Sequence, residues 1–395
     1  MFVSYATAAK IRPNEGGFRL NLSRGSKLVN LVILNQHLGR LNCVEGILLM
    51  HLFQEQAASD MDAALAQIPI LDLGPYLAGK NGALDALAGE IKDACARVGF
   101  FYISNHGVPE DLITGAFAQS KRFHALPLEV KNRHPLDAAN IGYMAMNTSM
   151  QAHSTVHKAT TPNQNESFFV THDRPDDHPD VLKGTPLRGQ NYWPDDLPGF
   201  RDGVMAYFQA VNALGHSLVP PFARALGMAA DYLDVDFADE NNATLRMLHY
   251  PPTEVVDNDF GTAPHTDNSF MTILARMEVP GLAIRLPSGE WLPPPLIPGT
   301  FLVNIGNMAR RMSNDNFLST PHGVIVDGNM DRYSIAYFHS PNPYRMIRVA
   351  PSCIDDDSPA KYEPRLYADL MKEFYSANYF HQKDHKTVEM KNQYD

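Results

Sequence analysis

From residue 243 onward the chain becomes a succession of short apolar, β-branched and aromatic runs, "ATLRMLHY", "NSFMTILAR", "GLAIRL", "TFLVNIG", "HGVIV" and "RYSIAYFH", separated by Pro, Gly, Asn and Asp. Runs this short, bounded by turn residues, favour an antiparallel sandwich or barrel over helices. The upstream half reads differently. Leu84, Leu87, Ala88, Ile91, Cys95 and Val98 recur at helical spacing and stop at Gly99, just before the β-rich Phe100, Phe101, Tyr102 and Ile103. A second helix is expected from near Pro109 toward Leu126. A third carries Val204, Tyr207, Phe208, Val211 and Leu218, is broken by Pro220 and Pro221, and resumes to Gly227. A last helix should run from about Tyr362 to Tyr379. No repeat period or low-complexity linker divides the chain. The reading is therefore one α+β domain over residues 61–395, with helices packed outside a double sheet: a helical part at 61–240, a sheet core at 241–350 and a C-terminal helix at 360–380.

Composition limits the function classes. At 44% hydrophobic and 19% charged residues the chain can bury a substantial core, and its 29 prolines and 26 glycines fit many turns and short strands. A net charge of −11 with no polybasic run argues against a general binder of nucleic-acid backbones. Cys43, Cys95 and Cys353 are an odd set at wide spacing, so neither a disulfide framework nor a zinc knuckle is indicated, and a reducing cytoplasm is the simplest setting. The apolar stretch 27–53 is interrupted by Asn30, Gln36, His37, Arg40, Asn42 and Glu45, which rejects a membrane span. Two readings stand for residues 1–60: an amphipathic helix on the body, or a translated upstream stretch ahead of a natural start at Met61.

Within "APHTDNSFMTIL", His265 and Asp267 stand two apart, so on a strand both side chains would leave the same face. An imidazole and a carboxylate are two of the three ligands of a non-haem iron(II) site, which keeps its other positions open. His322 in "STPHGVIV" is the candidate third. A second His-x-Asp, His178 and Asp180, has Pro179 at its centre in a polar stretch and reads as solvated loop. Arg332 and Ser334 share one face of a β-prone strand, and an arginine fork with a nearby hydroxyl suits a carboxylate. Arg311 and Ser313 repeat the tripeptide in "ARRMSNDN", read as a loop.

Taken in order, "IPILDL", "GFFYISNHGVP", "LRMLHYPP", "HTDNSFMTIL", "GLAIRL", "GEWLPPPLIPGTFLVNIGNM", "STPH" and "DRYSIAYFHSPN" resemble the iron(II)- and 2-oxoglutarate-dependent oxygenases of the isopenicillin N synthase-like family, over roughly residues 68–350. The resemblance implies a distorted double-stranded β-helix, or jelly roll, with flanking helices. It implies Fe(II), 2-oxoglutarate and O2 as cofactor and cosubstrates. His265, Asp267 and His322 would be the metal ligands and catalytic centre, with Arg332, Ser334 and Tyr250 holding the distal carboxylate of 2-oxoglutarate. Decarboxylation to succinate would be coupled to hydroxylation, desaturation or cyclisation of a small molecule. The partners are thus a small-molecule substrate, with no nucleic acid or membrane, and the chain acts as a monomer or weak homo-oligomer. Leu248, Gly323 and Asn307 depart from residues frequent in the family.

By the same matching, Tyr143, Met144, Met146, Glu166, Phe168, Asn268, Met271 and Phe338 border the substrate pocket; Arg246 is a further pocket candidate with His249 beside it, and a cation there would suit a second, carboxylate-bearing substrate. Each is also an ordinary core residue type. Rival readings are an iron oxidase of this fold that uses no 2-oxoglutarate, an enzyme forming ethylene or succinate from 2-oxoglutarate itself, and a non-catalytic jelly roll holding iron or zinc.

Overall fold

A computed structural model describes residues 13–14, 17–18, 61–151, 161–253, 260–325 and 331–379. The proposed helix within 27–53 lies outside them. The described residues from 64 onward belong to one compact unit, and among the described residues no helix is long and apolar enough to cross a membrane.

Two sheets make the frame. The larger has eight strands: β1 (Ile70–Asp72), β2 (Phe100–Ser104), β3 (Gly142–Met144), β4 (Glu166–Val170), β5 (Asn242–Tyr250), β7 (Met271–Arg276), β10 (Thr300–Ile305) and β12 (Arg332–Ser340), in the order β1-β2-β10-β7-β12-β5-β4-β3. The smaller joins β6 (Thr262–His265), β8 (Leu282–Arg285), β9 (Trp291–Leu292) and β11 (His322–Val324) in the order β9-β8-β11-β6. Every pairing is antiparallel except β1 with β2. Each β-prone run named from the sequence contains one of these strands. Four strands of the large sheet, β1 to β4, come from the stretch read as the helical part, so the sheet is shared between the two.

The period-2 alternation of the strands sorts their side chains. On β5, Leu245 and Met247 face a large apolar core, whereas Leu248 and Tyr250 face a second one. The first core is built with α1 (Ala83–Arg97), α2 (Glu110–His124) and α3 (Phe200–Ala225). The second lies between the sheets and includes Phe100, Tyr102, Ile284, Leu302 and Val324. The large sheet thus has a helix face and an inner face, and the candidate site is on the inner one.

Three elements correct the sequence reading. First, α3 runs unbroken through Pro220 and Pro221. A proline removes the N–H that would reach the carbonyl four residues back. At Pro221 that carbonyl belongs to Ser217, and Tyr76 Oη donates to it at 2.9 Å, replacing the missing donor. Second, "ARRMSNDN" is loop only in its second half: Asn307–Met312 is a helix, α4, in which Arg311 is buried, and a turn follows from Ser313. Third, His178 caps a single helical turn, Pro179–Leu182, and its ring accepts from the Asp180 N–H, so that motif is half-buried rather than solvated. The last helix, α5, spans Tyr367–Asn378.

Close backbone approach fixes two glycines beside the site. Gly99, at φ +66, joins α1 to β2, and a Cβ there would lie 2.0 Å from the Leu318 carbonyl oxygen. A Cβ on Gly306 would lie 1.9 Å from the Ser269 carbonyl oxygen, so only glycine lets β10 and α4 close against the loop that follows Asp267.

Candidate active site

β6 ends at His265, so Asp267 stands just beyond the strand rather than on it. The two side chains converge nonetheless. Asn307 holds the 266–268 backbone: its N–H donates to the Asp267 carbonyl at 2.7 Å and its side-chain amide to Thr266 Oγ1 at 3.2 Å and Asn268 Oδ1 at 2.8 Å. β11 pairs with β6 so that His322 lies directly opposite His265. His265 Nε2 is 3.5 Å and His322 Nε2 3.8 Å from Asp267 Oδ1. One ligand atom from each residue lies within 4.8 Å of the others, so the donor set fits a single metal ion.

The surroundings aim these atoms inward. His265 Nδ1 donates to the Ala263 carbonyl at 2.9 Å and His322 Nδ1 to the Thr320 carbonyl at 3.1 Å, which leaves each Nε2 lone pair facing the centre. Asp267 Oδ2 accepts from Thr272 Oγ1 at 2.5 Å and Asn304 Nδ2 at 2.7 Å, leaving Oδ1 for the same centre. Burial alone would raise the Asp267 carboxyl. The His322 and His265 rings and the Asn304 amide outweigh it and hold the group well below the usual carboxylate range. Burial pushes His322 down to about 4 despite the attraction of Asp267, so it is a neutral imidazole at pH 7, the form that binds metals. Neither Thr272 nor Asn304 is among the residues the sequence singles out. Both occupy inner-face positions of β7 and β10, and the signal available in the sequence was that polar residues interrupt otherwise apolar inner faces. Thr272→Val or Asn304→Leu is expected to weaken metal binding by about 10–100-fold without unfolding the chain, as loss of a ligand's own hydrogen-bond partner usually does. Competition against a metal-sensitive dye measures this, and unchanged affinity in both would contradict it.

The pocket in front of the triad is lined from the strands by Phe100, Leu248, Leu274, Leu282, Val324 and Ala336, and the charged and aromatic groups Arg246, Arg332, Tyr250 and Phe338 also border it. Arg332 is buried; its Nη1 donates to Ser334 Oγ at 3.4 Å and its guanidinium lies 4.7 Å from the Tyr250 ring centre. Its Nε has no partner, and it makes no ion pair among the described residues. A buried, incompletely bonded guanidinium fits the carboxylate of a bound 2-oxoglutarate. Tyr250 Oη pairs with Thr262 Oγ1 at 3.1 Å. Leu248, where the family often has Asn, presents only carbon to the pocket. Gly323 lets β11 approach β6, since a Cβ would be 3.0 Å from the Thr262 carbonyl oxygen.

Of the residues expected around the pocket, Arg246 and Phe338 line it; eight others, Met146 and His249 among them, do not. Register is the reason for Glu166, Phe168 and Tyr143. Glu166 pairs with His249 and Phe168 with Met247, which puts both on the helix face of the sheet, and Tyr143, opposite Phe168, joins them there. Phe168 packs on Phe123 at 4.2 Å, and Met271 is fully buried in the same core. Met144 packs with Leu136, Phe169 and Tyr379 outside the lining, and Asn268 bonds Asn307. Glu166 instead anchors a buried cluster, accepting from Lys131 Nζ and His249 Nδ1, each at 2.7 Å, and from the Tyr143 hydroxyl. Burial pushes the Glu166 carboxyl up, but these three donors prevail and bring it to about 2 from 4.5. Its folded value being depressed, the stabilisation is full above pH 4.5 and lost as pH falls toward 2. Glu166→Gln should therefore destabilise the protein by about 3 kcal/mol at pH 7, with the gap from wild type narrowing at acid pH. Urea unfolding at several pH values checks both points, and a gap independent of pH would contradict them.

Two histidines and one carboxylate on one side with open space on the other is the donor arrangement that mononuclear non-haem iron sites use. Residues 68–196 match the family described as non-haem dioxygenase in morphine synthesis N-terminal, and residues 241–341 the 2OG-Fe(II) oxygenase superfamily. The chain is 32% identical to the 2-oxoglutarate-Fe(II) type oxidoreductase hxnY of Emericella nidulans, over 79% of this chain and 90% of the relative. It is 30% identical to the 2-oxoglutarate-dependent dioxygenase citB of Monascus ruber, over 71% and 86%. Among solved structures, Neurospora crassa T7H in complex with alpha-KG and thymine is similar at a TM-score of 0.68 and 28% identity, covering 78% of this chain and 96% of T7H. The chain belongs to the 2-oxoglutarate- and Fe(II)-dependent dioxygenases, oxidoreductases that use Fe(II), 2-oxoglutarate and O2.

Proposed function

We propose that this enzyme couples the oxidative decarboxylation of 2-oxoglutarate to succinate and carbon dioxide with the oxidation of a small organic molecule, by hydroxylation, desaturation or cyclisation. The observation that carries the reading is the convergence of His265, Asp267 and His322 on one pocket that also contains the incompletely bonded Arg332. His265, Asp267 and His322 would hold the iron, and Arg332 with Ser334 and Tyr250 the distal carboxylate of 2-oxoglutarate. Bound iron supplies the redox chemistry with O2. The chain supplies placement. Thr272 and Asn304 fix Asp267, the backbone carbonyls of Ala263 and Thr320 fix the imidazoles, and the apolar wall of Leu274, Leu282 and Val324 excludes water from the reacting centre. The two sheets would be the halves of a distorted jelly roll, and residues 61–395 a single oxygenase domain. That relatives include a structure with bound thymine supports a small molecule as substrate.

The test is anaerobic addition of iron(II) and then 2-oxoglutarate to the metal-free protein. A weak visible charge-transfer band is expected on the second addition. Iron uptake with no band would favour an oxidase that does not use 2-oxoglutarate.

A further inference from the structure

The pocket holds a second buried guanidinium. Arg246 is 8% exposed and lines the same space as the triad. Its Nε donates to Ser167 Oγ at 2.9 Å and its Nη2 to Asn165 Oδ1 at 3.0 Å, while the Phe169 ring lies under it at 4.9 Å. All three partners are neutral. Among the described residues no carboxylate pairs with Arg246 and nothing accepts from its Nη1. A guanidinium taken out of water without a counter-charge is costly, and here the fold spends two polar side chains and an aromatic ring on holding one.

Its place along the strand separates it from the Arg332 region. Arg246 and Tyr250 share the inner face of β5 four residues apart, which is about 13 Å of strand. Tyr250 lies opposite Arg332, whereas Arg246 lies opposite Ala336 on one side and Phe169 on the other. Leu248 is its inner-face neighbour along β5, and Phe338 the next inward residue on β12 after Ala336. The pocket-lining neighbours of this cation on β5 and β12 are therefore apolar.

Charge balance decides what it would receive. The other charged side chains lining the pocket are Asp267 and Arg332, and these offset one another. The two positive charges of iron(II) are met by the two carboxylates of 2-oxoglutarate. Arg246 is left as the uncompensated charge in a water-poor space. We propose that Arg246 is the recognition group for the primary substrate, and that this substrate is a monoanion, a carboxylate on an apolar body, held through the Nη1 edge of the guanidinium. The assignment rests on the function proposed above.

Calorimetry on the anaerobic iron(II) and 2-oxoglutarate-loaded protein tests it, with benzoate, phenylacetate, 3-phenylpropionate and hexanoate titrated beside their primary amides. Loading with 2-oxoglutarate keeps the probes away from Arg332. The wild type is expected to bind at least one acid about tenfold or more tighter than its amide, the worth of a charge-assisted hydrogen bond. Arg246→Met, close to arginine in length but uncharged, should lose that preference while still binding 2-oxoglutarate, and Arg246→Lys should restore part of it. The proposal is overturned if no acid outbinds its amide in the wild type, or if the preference survives in Arg246→Met. The wild-type ratio and Arg246→Lys keep it falsifiable should Arg246→Met not fold. If the wild type fails to take up 2-oxoglutarate at all, the proposed function falls and this inference with it; uptake without acid preference sinks the inference alone.

Discussion

Asp267→Ala is expected to reduce iron(II) affinity by more than about a hundredfold and to abolish turnover. The bound follows from the smaller 10–100-fold cost of removing only a ligand's outer partners. Asp267 supplies the one negative charge of the triad, and both imidazoles lie within 4 Å of its Oδ1. Without it, two neutral nitrogens would face a dication across a pocket that also contains two guanidinium groups. Alanine would further leave the Asn304 amide, which donates to Oδ2 at 2.7 Å, without an acceptor in a buried place. That costs about 1–3 kcal/mol. Asp267→Asn separates the two effects. It keeps an oxygen for Thr272 and Asn304 and so should melt close to wild type, yet lacks the charge and should still lose the metal. Iron content after dialysis, read beside the melting temperature, distinguishes them, and a stoichiometric iron content in either variant would refute the assignment.

What the sequence made legible and what it hid follow from the same geometry. The strands after residue 243 were readable because one face of each is apolar and the turns between them are marked by Pro, Gly, Asn and Asp. His265 and His322 were readable because each adjoins such a strand. The failures lie where pairing partners decide. The family matching puts Glu166 and Phe168 in the pocket, but a one-residue change of register moves every side chain of a strand to the opposite face, and no local feature of "NESFFV" reveals that Phe168 meets Met247. The α3 helix was expected to break because a proline removes a donor locally, and the hydroxyl that replaces it comes from Tyr76, far away in sequence. Asp267 converges on the histidines from beyond the end of its strand because Asn307 holds its loop, a contact 40 residues apart by number. Short-range pattern identified the elements; long-range pairing set what they face.

Arg332→Met is expected to raise the 2-oxoglutarate concentration needed for half-saturation by roughly 10–100-fold, with a smaller effect on kcat and none on iron binding. A hydrogen bond to a charged group is worth about 1.5–3 kcal/mol, and an arginine fork can make two. The unliganded protein should not suffer. Among the described residues the partners of Arg332 there are Ser334 Oγ at 3.4 Å and the face of Tyr250, and its Nε is buried without one. Removing a cation that the fold pairs poorly relieves a desolvation cost as it gives up a cation–π contact worth about 0.5–2 kcal/mol, so the melting temperature should move little. This pairing of outcomes identifies a residue kept for its ligand rather than for the fold. Arg332→Lys, which keeps the charge but not the planar fork, should fall between wild type and Arg332→Met in affinity. The anaerobic charge-transfer band, titrated with 2-oxoglutarate, ranks the three. A large loss of stability in Arg332→Met with unchanged 2-oxoglutarate affinity would make Arg332 a structural residue and remove the cosubstrate clamp from the proposed function.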